Sequence, residues 1–243
     1  MQTPNLKDYA VIMLGYKEPG NLYNRIDELK KQTHPPKEII LLINQYPNEV
    51  SSTLEFFAKN EPSITFWGRF SQNIGIAYAW NLGMKIAQSE VCVVLNDDCE
   101  IGEHTMEDLV KPFSINPKTG VTGVIWGNNP SDAAQTPQGF LIAYRKEALE
   151  QCGYYDEKAS PLACERELSL RLISHGWKVD IVNAYWKHIH DISNHPETPI
   201  NYLGKEWIPL RDQPSTEKHL QEKIVEHNFN IRYPDLPHDI RLL

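Results

Sequence analysis

Short apolar runs separated by polar stretches recur along the first half of this chain. Their high content of Ile, Leu and Val is typical of strands that are covered on both faces of a sheet. We therefore predict strands at Tyr9–Gly15, Glu38–Asn44 and Ile64–Trp67 and in the run that begins at Val91.

Between these runs the apolar residues change to helical spacing. Such alternation of strands and helices favours a parallel sheet with crossover helices, which binds ligands beyond the carboxyl ends of its strands. The predicted fold class is therefore α/β, with a mostly parallel central sheet flanked by helices. The inward positions are Leu22, Ile26 and Leu29 in one helix, and Ala77, Trp80, Met84 and Ala87 in another, which runs from about Gly75 to Gln88.

The second half of the chain continues this alternation. A polar segment, Gly127–Gln138, is long for a loop inside a compact domain; such loops are more often functional than not, although flexibility alone would also explain it. It is our candidate lid or acceptor loop. The predicted elements are a helix at Met106–Phe113, strands at Val121–Trp126 and Phe140–Tyr144, a helix at Glu165–His175 and a strand at Lys178–Val182.

The length of the chain and the distribution of its prolines predict one domain followed by an extension. The chain has 243 residues, which is enough to bury the full core of an α/β domain. We place that domain at 1–193. From 194 to 243 prolines interrupt the pattern repeatedly and leave one predicted helix, Ser215–Phe229.

The acidic composition limits the classes of partner. A formal net charge of -8 disfavours binding to nucleic acid, because that affinity comes mainly from Lys and Arg that neutralise phosphates. An acidic protein that handles a nucleotide diphosphate needs a divalent cation, since the cation bridges two anions that otherwise repel each other.

The cysteines and the hydropathy pattern bear on location. Cys92, Cys99, Cys152 and Cys164 show no CxxC spacing, which disfavours a zinc site. No apolar run approaches the roughly 20 residues that span a bilayer, and no leader-like segment is present. We therefore expect a cytoplasmic protein without a transmembrane segment; peripheral attachment to a membrane through the extension stays open.

The segment VCVVLNDDCEI, Val91–Ile101, combines a buried strand with acidic residues at its end. Asp98 supplies a hard oxygen ligand, and His188 and His190 are two residues apart, so both would face the same way in an extended segment. This set would suit Mn2+ or Mg2+ on a diphosphate. Two alternatives remain: an ordinary solvated turn at Asp97 and Asp98, and rival ligands at Asp191 and His195.

Glu165 is the candidate general base. It lies in the predicted first turn of its helix, where the helix dipole lowers a carboxyl pKa, whereas a base that works near neutral pH needs a raised one. Burial would have to outweigh the dipole. Glu167 is the alternative, but residues two apart on a helix do not share a face.

A glycine-containing turn precedes one predicted helix, in the segment Asn73–Gly83. Free backbone amides at a helix start bind anions well. A simple helix start with Asn as its cap explains the same residues equally well.

Together these segments resemble the GT-A glycosyltransferases, specifically the large inverting family 2, over roughly Tyr9–Ser193. VIMLGYKEPGNL is similar to the family's opening strand and nucleotide loop, usually of the form VIIPTYNEEENL. EIILLINQYPNE resembles its second strand, NIGIAYAWNLG its helix start, and LNDDCEI its metal-binding DXD-type strand end. GFLIAYRKEALEQCGYYDE and ERELSLRLISHGWKV resemble its acceptor-side and catalytic-helix segments.

The resemblance implies a sugar transfer from a UDP- or dTDP-sugar donor to a glycan or other hydroxyl acceptor. It divides the domain into a nucleotide-sugar half at about 1–101 and an acceptor or catalytic half at about 102–193. It makes Glu165 the base, Asp98 with His188 or His190 the metal ligands, and Asp97 a contact to ribose or sugar. The implied nucleotide-sugar residues are Leu14, Gly15, Tyr16, Glu18, Asn44, Asn73, Gly75, Asn81 and Asp97.

The chain departs from the family pattern at several of these positions. Gly15 and Lys17 stand where Thr and Asn are usual, and Asn44 replaces an Asp that often reads the base; an Asn oxygen still accepts a bond from uracil or thymine N3–H. Cys164-Glu165 replaces the usual Glu-Asp pair. A non-catalytic nucleotide-sugar binder is therefore one alternative, and a sugar-phosphate nucleotidyltransferase is another, although GYKEPGN lacks the Gly-rich, basic loop that the latter needs.

Overall fold

The structure is a computed structural model that describes residues 5–15, 19–44, 48–125, 136–157 and 164–189. The predicted site residues Tyr16, Glu18 and His190 lie outside these ranges. So do the rival ligands Asp191 and His195, most of the loop Gly127–Gln138, and the whole 194–243 extension with its predicted helix.

The strands form one large sheet and one small sheet. The large sheet has seven strands in the spatial order β3-β2-β1-β4-β7-β6-β8, and the small one pairs β5 with β9. The bounds are β1 Tyr9–Gly15, β2 Glu38–Ile43, β3 Phe66–Arg69, β4 Val91–Asn96, β5 Cys99–Ile101, β6 Thr119–Gly123, β7 Leu141–Arg145, β8 Lys178–Ile181 and β9 Trp186–His188.

Helices cover both faces of the large sheet. Along β1, Val11 and Met13 join one core cluster while Ala10 and Ile12 join the other, as expected for a strand buried on both faces. The first cluster includes inward residues of α1, α2 and α4, and the second those of α3, α5 and α6. The bounds are α1 Pro19–Lys30, α2 Asn48–Asn60, α3 Ile76–Ile86, α4 Thr105–Ile115, α5 Lys146–Cys152 and α6 Cys164–Ser174.

The α/β fold predicted from the pattern is confirmed, with four elements missed and some shifted ends. The prediction missed α2, which has a Ser-rich, mixed pattern, and α5, which has only seven residues. It also missed the strands β5 and β9, which have three residues each. The strand predicted at Ile64–Trp67 begins at Phe66, where its pairing with Ile40 of β2 begins. The strand predicted at Val121–Trp126 runs instead from Thr119 to Gly123.

The strand order changes direction at β1. The chain moves from β1 outward to β2 and β3 and then returns to place β4 on the other side of β1, and these four strands are parallel. A crevice opens at the carboxyl ends of the strands where such a reversal occurs. Leu14 pairs with Asn96, so the predicted residues Leu14, Gly15 and Asp97 lie at the same edge of the sheet, where a crevice of this kind is expected.

No helix within the described ranges combines the length and the apolar character needed to cross a bilayer.

Helix α3 packs directly on β1 through Gly83. A Cβ added there would lie 2.9 Å from Cγ1 of Ile12 and closer still to its Cγ2. Since real side chains avoid such distances, only glycine allows the helix to approach the strand this closely. The contact fixes the position of the turn that precedes α3.

We expect Gly83→Ala to destabilise the fold by about 1–3 kcal/mol, because the added methyl overpacks the contact with Ile12. Gly20→Ala is the matched control: it also lies in a helix, and a Cβ there meets nothing within 4 Å. Urea unfolding should show a lower midpoint for Gly83→Ala and no loss for Gly20→Ala. Equal stability of the two variants would contradict the close contact.

Candidate active site

The turn after β4 brings an acidic residue beside a distant histidine. Asp97 and Asp98 form the turn between β4 and β5, and β5 pairs antiparallel with β9, with Cys99 opposite His188. The N–H of Ile189 donates a hydrogen bond to the carbonyl oxygen of Asp98 at 2.8 Å. As a result Nε2 of His188 lies 3.6 Å from Oδ1 of Asp98.

This pair has the spacing of two ligands on one divalent ion. Two atoms that are each about 2.1 Å from an ion at a right angle or more lie about 3.0–4.2 Å apart. Within the described part of the chain, Oδ1 of Asp98 is buried and accepts no hydrogen bond. The described residues contain no group of three or more metal-ligating side chains. Asp98 and His188 thus fit a metal as a partial set, and the third predicted ligand, His190, lies outside the described ranges.

Residues that the sequence analysis missed hold the far end of β5. Glu28 of α1 accepts a hydrogen bond from the N–H of Ile101 at 3.0 Å. The guanidinium of Arg25, which is only 2% exposed, donates to Glu28 at 2.6 Å. This pair therefore anchors the strand that follows Asp98. A charged residue among the inward positions of α1, beside Leu22 and Ile26, was the signal in the sequence.

The dipeptide Gly139–Phe140 connects this region to α6. The carbonyl oxygen of Phe140 accepts a hydrogen bond from Asn96 N–H at 2.9 Å, and its ring packs edge-on against His188 with centroids 5.3 Å apart. A Cβ on Gly139 would lie 3.2 Å from Cδ of Glu165. The dipeptide thus contacts His188 through Phe140 and Glu165 through Gly139.

Burial outweighs the helix dipole at Glu165. Desolvation raises the pKa of this carboxyl, and the backbone amides of Glu165 and Gly139, the Cys164 thiol and the Arg166 charge only partly offset it. A raised pKa is what a general base near neutral pH requires. The environment of Glu165 therefore suits the predicted role.

Glu167, the alternative base, has a different environment. Its carboxylate forms an ion pair with Arg171 through bonds of 2.7 and 3.1 Å. Arg171 also donates to the carbonyl oxygens of Cys152 and Tyr154, each at 2.7 Å. Glu167 therefore joins α6 to the end of α5, and Glu165 is the carboxylate of the two that lies against Gly139.

Asn44 and Asn73 shape the turn before α3. Asn44 donates to Oδ1 of Asn73 at 2.9 Å and accepts from the N–H of Ile74 at 3.0 Å, and its side chain is buried. Asn73 also accepts from the N–H of Gly75, whose φ of 78° suits glycine. The first residue flanking the helix is Gly75, without a side-chain cap, so the alternative of a simple Asn cap is wrong. Contact between Asn44 and a nucleotide base stays a prediction.

Asn81 holds a neighbouring segment. Buried in α3, it accepts from the N–H of Tyr155 and donates to the carbonyl oxygen of the same residue, both at 2.9 Å, and it also donates to Glu157 at 3.0 Å. This bidentate grip fixes the chain just after α5. The predicted contact of Asn81 with a nucleotide sugar is not tested by these bonds, which already engage its oxygen and its amide.

Comparison with known proteins identifies the family. The model of the family described as glycosyl transferase family 2 matches residues 10–159. The chain belongs to this family. The matched range contains Asp98 and the Asn73–Gly83 segment of this family 2 chain, and it ends before Glu165 and His188. A search of curated proteins finds no significant match.

Solved structures show that the family 2 chain has the GT-A glycosyltransferase fold, as predicted. One similar structure is the mannosyltransferase PcManGT from Pyrobaculum calidifontis in complex with GDP-Man and Mn2+, with 17% identity, a TM-score of 0.62, and coverage of 73% of this chain and 56% of that one. GalNAc-T7 with UDP, GalNAc and Mn2+ is 18% identical, with a TM-score of 0.61 and coverage of 73% of this chain and 43% of that one. Residues 1–349 of S. aureus TarS are 16% identical, with a TM-score of 0.57 and coverage of 74% of this chain and 59% of that one. The chain therefore spans roughly half the length of these structures.

The raised pKa of Glu165 makes a prediction about stability. In the unfolded state the Glu165 carboxyl has an ordinary pKa of about 4.3, whereas in the folded state its pKa is higher. As the pH rises above about 4.3, the unfolded state therefore loses this proton more readily than the folded state does, and ionisation favours unfolding. Glu165→Gln removes this penalty. It should melt at a higher temperature than the wild type near pH 7.5, with the difference disappearing near pH 4.

Glu167→Gln is the matched control on the same helix. It removes the ion pair with Arg171 and should lose about 2 kcal/mol near neutral pH. Differential scanning calorimetry across pH measures both variants. A lower melting temperature for Glu165→Gln at pH 7.5 would refute the buried environment of this carboxylate.

Proposed function

We propose that this protein transfers a sugar from a UDP- or dTDP-sugar to a hydroxyl group of a glycan or another acceptor, with inversion and with the help of Mn2+ or Mg2+. The observation that carries the proposal is the dipeptide Gly139–Phe140, which contacts both His188, the neighbour of Asp98, and Glu165. A candidate metal pair and a candidate base thereby meet around one short segment beside the crevice.

The donor would occupy the crevice at the ends of β1 and β4. Asp98 and His188 would hold the divalent ion there, and the ion would neutralise the departing nucleoside diphosphate. Asp97 would contact the ribose or the sugar. The similar structures with GDP-Man and Mn2+ and with UDP, GalNAc and Mn2+ support a nucleotide-sugar donor.

The acceptor would approach from the side of Glu165. The carboxylate takes the proton of the acceptor hydroxyl while the hydroxyl oxygen bonds to the anomeric carbon, and the bond from that carbon to the diphosphate oxygen breaks. Because attack is opposite to the leaving group, the configuration inverts. The raised pKa of Glu165 supports this role, since a stronger base takes the proton more readily.

Asp98→Asn should abolish metal-dependent nucleotide binding and leave the fold intact. A thermal-shift panel of UDP, dTDP and GDP and their sugars, with and without Mn2+, measures this, because a ligand that binds only the native state raises its stability. Asp27→Asn, an exposed residue of α1, is the control and should behave as the wild type. Unchanged nucleotide affinity of Asp98→Asn would refute the metal role.

Glu165→Gln should lower sugar transfer and donor hydrolysis by about 10²–10⁴-fold while nucleotide affinity is unchanged. Release of free sugar from the donor measures activity before an acceptor is known. Glu167→Gln, assayed where it is folded, should keep activity within about tenfold, since Glu167 pairs with Arg171. Donor binding by the wild type without any turnover would favour the non-catalytic binder instead.

A further inference from the structure

The residue before the proposed base departs from the family pattern and touches the base directly. Cys164 is fully buried, and its Sγ lies 3.5 Å from Oε2 of Glu165, within the range of a thiol hydrogen bond. The thiol belongs to the core cluster beneath α6, together with Tyr144 and Tyr155. A small side chain that is both apolar enough for this core and able to donate fits the position.

We propose that Cys164 is a positioning residue for the base, in which the thiol donates to Oε2 of Glu165 and leaves Oε1 to take the proton of the acceptor. This inference rests on the proposed function. The family's Glu-Asp pair would place a second carboxylate here, whereas Cys164 supplies a neutral donor. Glu165 has a longer side chain than the Asp that is usual at this position, and the thiol of Cys164 holds its carboxylate in place.

The surroundings keep the thiol in the donor state. Burial raises the pKa of Cys164 well above its ordinary value, and the neighbouring Glu165 carboxylate adds to this effect, so the proton stays on sulfur. Tyr144 and Tyr155 have pKa values raised well above 10 by burial and stay neutral, with the Tyr155 hydroxyl donating to that of Tyr144 at 2.9 Å.

Arg166, the next residue of α6, acts on Glu165 through its charge and lowers the pKa of that carboxyl. Burial lowers the pKa of its guanidinium, and the Glu165 charge opposes that shift. Arg171 and Glu167 form an ion pair on the same helix, and among the described residues Tyr144 of β7 and Tyr155 after α5 interact with the carboxylate as neutral groups. Against this fixed background, loss of the thiol changes one interaction with the base.

Three variants separate hydrogen bonding from packing. Cys164→Ala removes the donor and should lower kcat by about three- to tenfold with little change in KM. It should also move the acidic limb of the pH profile of kcat to higher pH, because the thiol stabilises the ionised carboxylate.

Cys164→Ser keeps a donor, so its kcat should stay within about twofold of that of the wild type and its pH profile should be unchanged. Cys92→Ala is the control: this buried thiol of β4 lies in the same core cluster and contacts the carbonyl oxygen of Met84, so stability falls but the pH profile stays.

Carboxyl ¹³C NMR of Glu165 in the ligand-free protein supplies a readout that needs no activity. Its titration midpoint should rise in Cys164→Ala and not in Cys164→Ser or Cys92→Ala. An unchanged midpoint and pH profile in Cys164→Ala, or a serine variant as impaired as the alanine variant, would overturn the positioning role. A wild type that releases no sugar from any donor would instead refute the proposed function, whatever the NMR result.

Discussion

The antiparallel pairing of β7 with β4 is the constraint on which the site depends. In a parallel sheet the start of a new strand lies at the edge opposite the carboxyl ends of its neighbours, but a strand that runs the other way begins at that edge. Because β7 is antiparallel to β4, Gly139 and Phe140 arrive at the end of β4, where Phe140 accepts a hydrogen bond from Asn96. Without this reversal, Gly139 and Phe140 would not lie beside the acidic turn, and His188 and Glu165 would not contact the same dipeptide there.

The first turn of α6 combines opposing contributions to stability. Glu165 is buried at a free-energy cost, visible as its raised pKa, and Nη2 of Arg166 is buried without a hydrogen bond in the described part of the chain. The ion pair of Glu167 with Arg171, which also holds two carbonyl oxygens at the end of α5, works in the other direction. A buried, poorly compensated charge held in place by a well-bonded neighbour is the arrangement expected where function costs stability.

Local patterns in the sequence predicted the strands of the large sheet, most helices and the acidic turn, because each of these depends on periodicity or on where an apolar run ends. The grouping of Asp98 with His188 or His190 came from ligand chemistry and the family resemblance, but the contact itself depends on the register between β5 and β9, which no local pattern shows because the two strands are far apart in the chain. The same limit applies to the contact between Gly139 and Glu165. The Glu28 bond to Ile101 also joins distant segments, and only the inward Arg25 signalled it.

The polar residues of the Asn73–Gly83 segment show why a motif does not by itself identify ligand contacts. Asn73 and its partner Asn44 direct their side chains to each other and to backbone amides of the turn, and Asn81 binds the backbone of Tyr155. Gly83 lets the helix approach Ile12. These residues fix the start of α3 and its packing on β1 and on the segment after α5, so a substitution there would disturb the ends of the strands through the backbone. In contrast, Oδ1 of Asp98 has no hydrogen bond within the described ranges and burial raises the pKa of Glu165, and the proposed roles of these two carboxylates rest on those observations.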